Sequence, residues 1–284
     1  MRTTNFFGHE ITRLIVGDNP FTGHSYIEHL IPGKEMKDYY DSKKLYETLF
    51  QIEEAGYNCM IPLAHPFNLQ IIREYQRDGG KMKFMFQPYM PMRQEVSMRE
   101  MEAIGAIGIY HQGTTTDFLY EHDRCDEIKA QIQQYKSMGI PVGLGTHVPD
   151  VIKKAEAEDW GADFYMACVH NARRGREKEP SGFLSGKEKV GIRFFPEDRP
   201  VMLDLISKLE KPCIAFKIFA GGQALLEKDQ EKLRENIKGI YREVFSKLKP
   251  GDLAAIGVFN KYKDQIKEDA ELFEEAMRSM ETEI

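Results

Sequence analysis

Residues 142–171 read VGLGTHVPDVIKKAEAEDWGADFYMACVHN, and this stretch decides the fold. A short apolar run, Val142–Leu144, leads to Thr146-His147. Pro149-Asp150 then opens a segment of helical period, which predicts a helix over Asp150–Asp159. Gly161 stands where a helix stops by turning into the left-handed region. A second apolar run, Phe164–Val169, follows and ends at His170-Asn171. Strand, helix and strand in this order form a parallel βα unit.

Working outward, the same alternation recurs along the chain. Strands are predicted at Arg13–Val16, Asn58–Leu63, Lys83–Phe86, Ile107–Tyr110, Cys213–Ile218 and Leu253–Val258 as well. The other helices are predicted over Ser42–Ala55, Asn68–Arg77, Ser97–Ile104, Asp126–Met138, Pro200–Leu209, Gln230–Leu248 and Gln265–Met280. Gly56 and Gly139 repeat the glycine stop, and Asp41 is placed to cap the first helix. Eight βα repeats predict one (β/α)8 TIM barrel spanning residues 1–284. A doubly wound open sheet is the rival, but no Gly-x-Gly-x-x-Gly follows the first strand. Phe6 to Ile11 reads as a hairpin arm able to plug the barrel floor. One connection is long: Asn171–Asp198, after strand six, reads either as a solvated charged loop or as a lid.

Composition narrows the class without naming a function. The 284 residues carry a formal charge of −6, which argues against a nucleic-acid surface. No apolar run is long enough to cross a bilayer, and the N-terminus lacks an apolar signal core. Cys59, Cys125, Cys168 and Cys213 are scattered, as expected of reduced thiols in a cytoplasmic protein. A small-molecule ligand is the expected partner; the oligomeric state is left open.

Barrel active sites lie at the C-terminal ends of the strands. Those ends carry Asp18-Asn19, His65, Gln87, His111, His147, His170-Asn171, Lys217 and Asn260. Four histidines on one rim imply ligation of a divalent metal such as zinc, or proton transfer near neutral pH. His65, His147 and His170 are the candidate ligands. Asp18, His111 and Lys217 are the candidate catalytic groups. Lys217, among Ile214, Ala215, Phe216 and Ile218, either points inward as a desolvated amine or outward between helices. Gly221-Gly222, after strand seven, reads as a phosphate cradle or as a plain turn. With Asn19, Gln87, Asn171, Arg173 and Asn260, these glycines complete the expected substrate-binding set. Cys168 reads as a small buried thiol.

Several stretches resemble the aldo/keto reductases. They are Gly8 to Gly17 with Pro20-Phe21-Thr22-Gly23, Ala55-Gly56-Tyr57-Asn58, Ile109-Tyr110-His111, Val142 to His147, Pro212 to Gly222, and Ile256-Gly257-Val258. The resemblance implies the barrel, NAD(P)H across its mouth, and a tetrad of Asp, Tyr, Lys and His. His111 holds the histidine position. The stretch Met60 to Phe67 contains no acid, and Gln87 stands at the lysine-like place. The expectation is therefore a reductase-like scaffold with altered chemistry. It would act on a small polar carbonyl or sugar-like compound through the histidine cluster and Lys217. An NAD(P)H-dependent reductase with another proton donor, and a non-catalytic ligand-binding barrel, stay open.

Overall fold

The computed structural model describes residues 1–180 and 191–282. The chain begins with a hairpin, β1 (Thr3–Phe6) and β2 (His9–Thr12), in antiparallel register from Thr3 opposite Thr12 to Phe6 opposite His9. Its turn uses positive φ at both Phe7 and Gly8, the twist that suits a two-residue hairpin.

Eight parallel strands then close a barrel: β3 (Leu14–Gly17), β4 (Cys59–Ile61), β5 (Lys83–Phe86), β6 (Gly108–His111), β7 (Val142–Thr146), β8 (Phe164–Cys168), β9 (Cys213–Phe216) and β10 (Leu253–Gly257). β10 pairs with β3, so no strand edge is left in the barrel. The strand positions predicted from sequence are met to within a residue or two.

Alternation along each strand sorts side chains into two cores. Ile15, Cys59, Ile61, Met85, Phe164 and Ile214 fill the barrel interior. Phe6 and Ile11 of the hairpin join that cluster and are fully buried, so the arm does plug the floor. Leu14, Val16, Phe84 and Leu144 face outward into the larger core between strands and helices. Gly143 must be glycine: a Cβ there would meet the Phe164 ring at 2.4 Å.

The helices are α1 (Gly33–Tyr39), α2 (Ser42–Glu54), α3 (Pro66–Arg77), α4 (Gln94–Ile104), α5 (Gly113–Glu121), α6 (Cys125–Lys136), α7 (Pro149–Ala157), α8 (Asp198–Ile206), α9 (Gln230–Phe245) and α10 (Gln265–Thr282). Asp41 caps α2, accepting from the Lys44 amide at 2.8 Å. Two of these helices were not expected. α1 follows β3 within a long loop, and α5 lies between β6 and α6. A 3-10 segment, Ala220–Leu225, follows β9. Of the long connection after β8, residues 181–190 lie outside the described residues, so its reading as a lid is untested there. No helix among the described residues is long and apolar enough to cross a membrane.

Candidate active site

The C-terminal ends of the strands open into one cavity of about 380 Å³. Its wall takes Asp18 and Asn19 from the loop after β3, Gln87 after β5, and Tyr110 on β6. His147 after β7 and Lys217 after β9 line it as well, beside Gln112 and Thr114.

Lys217 is the centre of a hydrogen-bonded line. Its Nζ lies 2.9 Å from His147 Nε2, and His147 Nδ1 lies 2.7 Å from Asp117 Oδ2. Asp117, on α5, is fully buried; it also accepts from the Thr146 hydroxyl and from the His147 amide at 3.2 Å. An ammonium group has donors only, so Nε2 must accept from Lys217 and Nδ1–H must donate to Asp117. His147 is therefore neutral. Burial, and then the charge of Lys217, hold its imidazole below the ordinary value against the pull of Asp117.

Three aromatic rings surround the ammonium. Its Nζ lies 4.7 Å from the Tyr26 ring centroid, 5.4 Å from Phe216 and 5.6 Å from Phe194. Ring faces attract a cation, and desolvation strengthens that attraction. Burial opposes the charge, but Tyr26, Cys168 and Asp117 together hold Lys217 above the ordinary lysine range. Lys217 also sits at φ +57°, a left-handed conformation uncommon outside glycine. That backbone turn is part of how a residue just past the end of β9 reaches the cavity.

Asp18 faces the same cavity in a different state. Burial raises its carboxyl to about 6, against the lowering effect of the Leu63 amide, which donates to Oδ2 at 2.6 Å. Asn68 adds a longer contact to the same oxygen. Tyr110 donates to Gln87 Oε1 at 2.7 Å, which fixes both at the wall. A protonated amine and a carboxyl poised near neutrality thus share one pocket, the usual arrangement for an acid and a base with divided roles.

The structure separates the remaining candidates from this centre. Gly221 and Gly222 line the cavity. His111 is buried outside the barrel interior, bonded to Thr116 at 2.7 Å and Gln131 at 3.1 Å, and burial lowers its imidazole to about 4. His65 caps α3 by accepting from the Phe67 amide. His170 contacts the Phe195 carbonyl at 3.0 Å and stacks near Phe194. Arg173 is committed to Glu121 in a buried pair, 2.9 Å from Nε to Oε1. The Asn171 amide donates to Asp198, and the Asn171 carboxamide accepts from the Arg173 amide. Asn260 accepts from the Ile266 amide at the start of α10. Asp117 and the cage residue Phe194 were not singled out from sequence. The signal for Asp117 was present: between Glu102 and Glu121 it is the only acid or base other than His111.

No protein-family model and no curated protein matches the chain. Solved structures do. Glycerol dehydrogenase from Gluconobacter oxydans matches with a TM-score of 0.56 and 10% identity, over 99% of this chain and 94% of that one. Dihydropteroate synthase from Yersinia pestis matches with a TM-score of 0.56 and 11% identity, over 99% and 100%. A Bombyx mori aldo-keto reductase in complex with NADP matches with a TM-score of 0.55 and 10% identity, over 99% and 92%. The likeness is one of fold. The chain is a (β/α)8 barrel of the shape shared by aldo-keto reductases and dihydropteroate synthases.

Two groups implied by the sequence were tested against these residues. Among the described residues, no three His, Cys, Asp or Glu are placed to hold a metal ion. The four rim histidines do not converge: His65 bonds the Phe67 amide, His111 bonds Thr116 and Gln131, His170 bonds the Phe195 carbonyl, and His147 lies between Asp117 and Lys217. The diphosphate of a nicotinamide dinucleotide needs exposed amides or unpaired cations. Gly221, at φ +60°, is covered by Tyr26, whose ring a Cβ would meet at 2.5 Å, and Ile27 packs on Gly222. Lys261 is paired with Glu35 at 2.7 Å, and Lys263 with Glu268. As placed, these residues do not fit the diphosphate.

Proposed function

We propose that this chain is an enzyme that moves a proton on a small carbonyl compound, as isomerases and lyases do. The observation that carries the proposal is the line Asp117–His147–Lys217, ending at a cavity that also receives Asp18. In this reading the Lys217 ammonium donates a hydrogen bond to the carbonyl oxygen. The Asp18 carboxylate removes a proton from the adjacent carbon. The C–H pair becomes the C=C bond of an enolate, and the carbonyl π pair moves to the oxygen, whose negative charge the Lys217 ammonium stabilises. On an α-hydroxy carbonyl compound the intermediate is an enediolate. The neighbouring hydroxyl proton passes to the first oxygen, the C=C pair takes the proton back from Asp18 at the former carbonyl carbon, and the carbonyl re-forms at its neighbour, which completes an isomerisation. His147, neutral and held by Asp117, accepts from Lys217 and keeps its Nζ in place without competing for the charge.

The experiment is incubation with a panel of enolisable ketones and aldehydes in heavy water. Proton NMR should show catalysed loss of the signal next to the carbonyl, and Lys217→Met should abolish it. No exchange with any member of the panel would count against the proposal.

A nicotinamide-dependent reductase is the second reading. The aldo-keto reductase neighbours, among them the one bound to NADP, favour it. The covered glycine pair and the paired lysines weigh against it. Quenching of protein fluorescence by NADPH at micromolar concentration would restore it.

A further inference from the structure

The cavity has two chemistries. Its inner part, at the strand ends, holds the polar groups beside Ile61, Met166 and Phe216 but carries few charges: among the described residues lining it, Lys217 is the only lysine or arginine. Its mouth carries two exposed leucines. Leu30, from the loop after β3, is 54% exposed, and Leu226, just past the 3-10 segment, is 47% exposed. Both line the cavity, and they are the only large exposed apolar side chains among the described residues that do. The two segments that carry them touch, with Ile27 packed over Gly222. Single exposed leucines are ordinary on a protein surface, but two at the rim of one cavity form a continuation of the binding wall.

We infer that the substrate is an uncharged, hydroxylated carbonyl compound bearing an aryl or alkyl substituent, with its polar head at Lys217 and Asp18 and its apolar part between Leu30 and Leu226. This deepens, and rests on, the reading of Lys217 and Asp18 as the reacting end. A phosphorylated sugar or a dinucleotide would bring two or more negative charges to a wall that offers one ammonium and also carries the Asp18 carboxyl. An apolar substituent would instead cover two leucines now open to water, each contributing up to about tenfold in affinity.

The test is binding of three probes to the purified full chain by calorimetry or saturation-transfer NMR. They are hydroxyacetone, 2-hydroxyacetophenone and dihydroxyacetone phosphate. The aryl probe should bind at least tenfold tighter than hydroxyacetone, with the phosphate weakest. In the double variant Leu30→Ser/Leu226→Ser that advantage should shrink to threefold or less, while hydroxyacetone binds as before. Tightest binding by the phosphate, binding of none of the probes, or an aryl advantage that survives the double variant overturns the inference. So does a solution dimer that the double variant dissociates with no change in probe affinity, since the leucines then cover a second copy. Lys217→Met should weaken hydroxyacetone and 2-hydroxyacetophenone equally. If it weakens neither, the reading of Lys217 fails while the dependence on the leucines stands.

Discussion

Lys217 Nζ sits 2.9 Å from His147 Nε2, a cation hydrogen-bonded to an imidazole that burial and the lysine's own charge keep neutral, while the buried carboxylate of Asp117 fixes the ring proton on Nδ1. The arrangement orients the lysine without cancelling its charge. A carboxylate in direct contact would neutralise the ammonium, whereas the neutral ring leaves it available to a developing oxyanion.

Lys217→Met keeps the length of the side chain in its aromatic surroundings but removes the charge. Catalysed proton exchange should fall by about 10²–10⁴-fold, the range for loss of a positioned acid. Lys217→Arg should recover little, since a planar fork does not replace a point donor aimed at one ring nitrogen. Rates measured in heavy water, beside thermal unfolding to confirm the fold, check this.

Asp18 links stability to pH. Its carboxyl titrates at about 6 in the fold, against an ordinary 3.8. A raised carboxyl favours folding while protonated, so its contribution is full below about 4 and lost as pH rises through 6. The loss amounts to about 3 kcal/mol at neutral pH. Asp18→Asn should therefore raise Tm near pH 7.5, leave it nearly unchanged near pH 4, and abolish proton exchange. Calorimetry at the two pH values checks the first part, and a wild-type rate that falls below about pH 6 checks the assignment of the base.

Gln223 holds the cage over Lys217. Its amide donates to the Tyr26 carbonyl at 3.0 Å and the Ile192 carbonyl at 2.7 Å, and accepts from the Phe194 amide at 3.1 Å. Gln223→Ala should cost about 1–3 kcal/mol through these lost bonds. Because Tyr26 and Phe194 would drift from the ammonium, ligand affinity should weaken by about tenfold. An unchanged affinity in a destabilised variant would make Gln223 purely structural.

His111 and His147 should behave oppositely. His111→Ala empties a packed site and removes the ring partner of Thr116 and Gln131, so about 2–4 kcal/mol of stability should be lost with the activity of the folded fraction retained. His147→Ala should remove proton exchange. Unfolding curves paired with exchange rates separate the two.

The barrel was legible because its signal is repeated eight times, so each weak βα pattern supports the others. The site was legible only in part. Asp18, His147 and Lys217 follow from reading which residues end strands. The direction of a side chain does not. On β6, Tyr110 faces the barrel interior, so alternation sends His111 outward to the helices. Asp117 stands out as a lone acid, but Gly113, Thr114, Thr115 and Thr116 are poor helix formers, so the sequence does not show the helix that aims it at His147. In the fold the segment is a helix capped by Gln112, whose side chain accepts from the Thr115 amide. The glycine pair after β9 read as a phosphate cradle, but only tertiary packing reveals that Tyr26 lies over Gly221.

The measurement that tests the account most directly is a titration of His147 by nitrogen-detected NMR, in the wild type and in Lys217→Met. The account predicts a ring that is neutral at neutral pH, with its proton on Nδ1 and its titration below the ordinary histidine value, in the wild type. In Lys217→Met it predicts a rise in the pKa, because the neighbouring cation is gone and Asp117 remains. A wild-type His147 that titrates at the ordinary histidine value, or one whose titration is indifferent to Lys217, would contradict it.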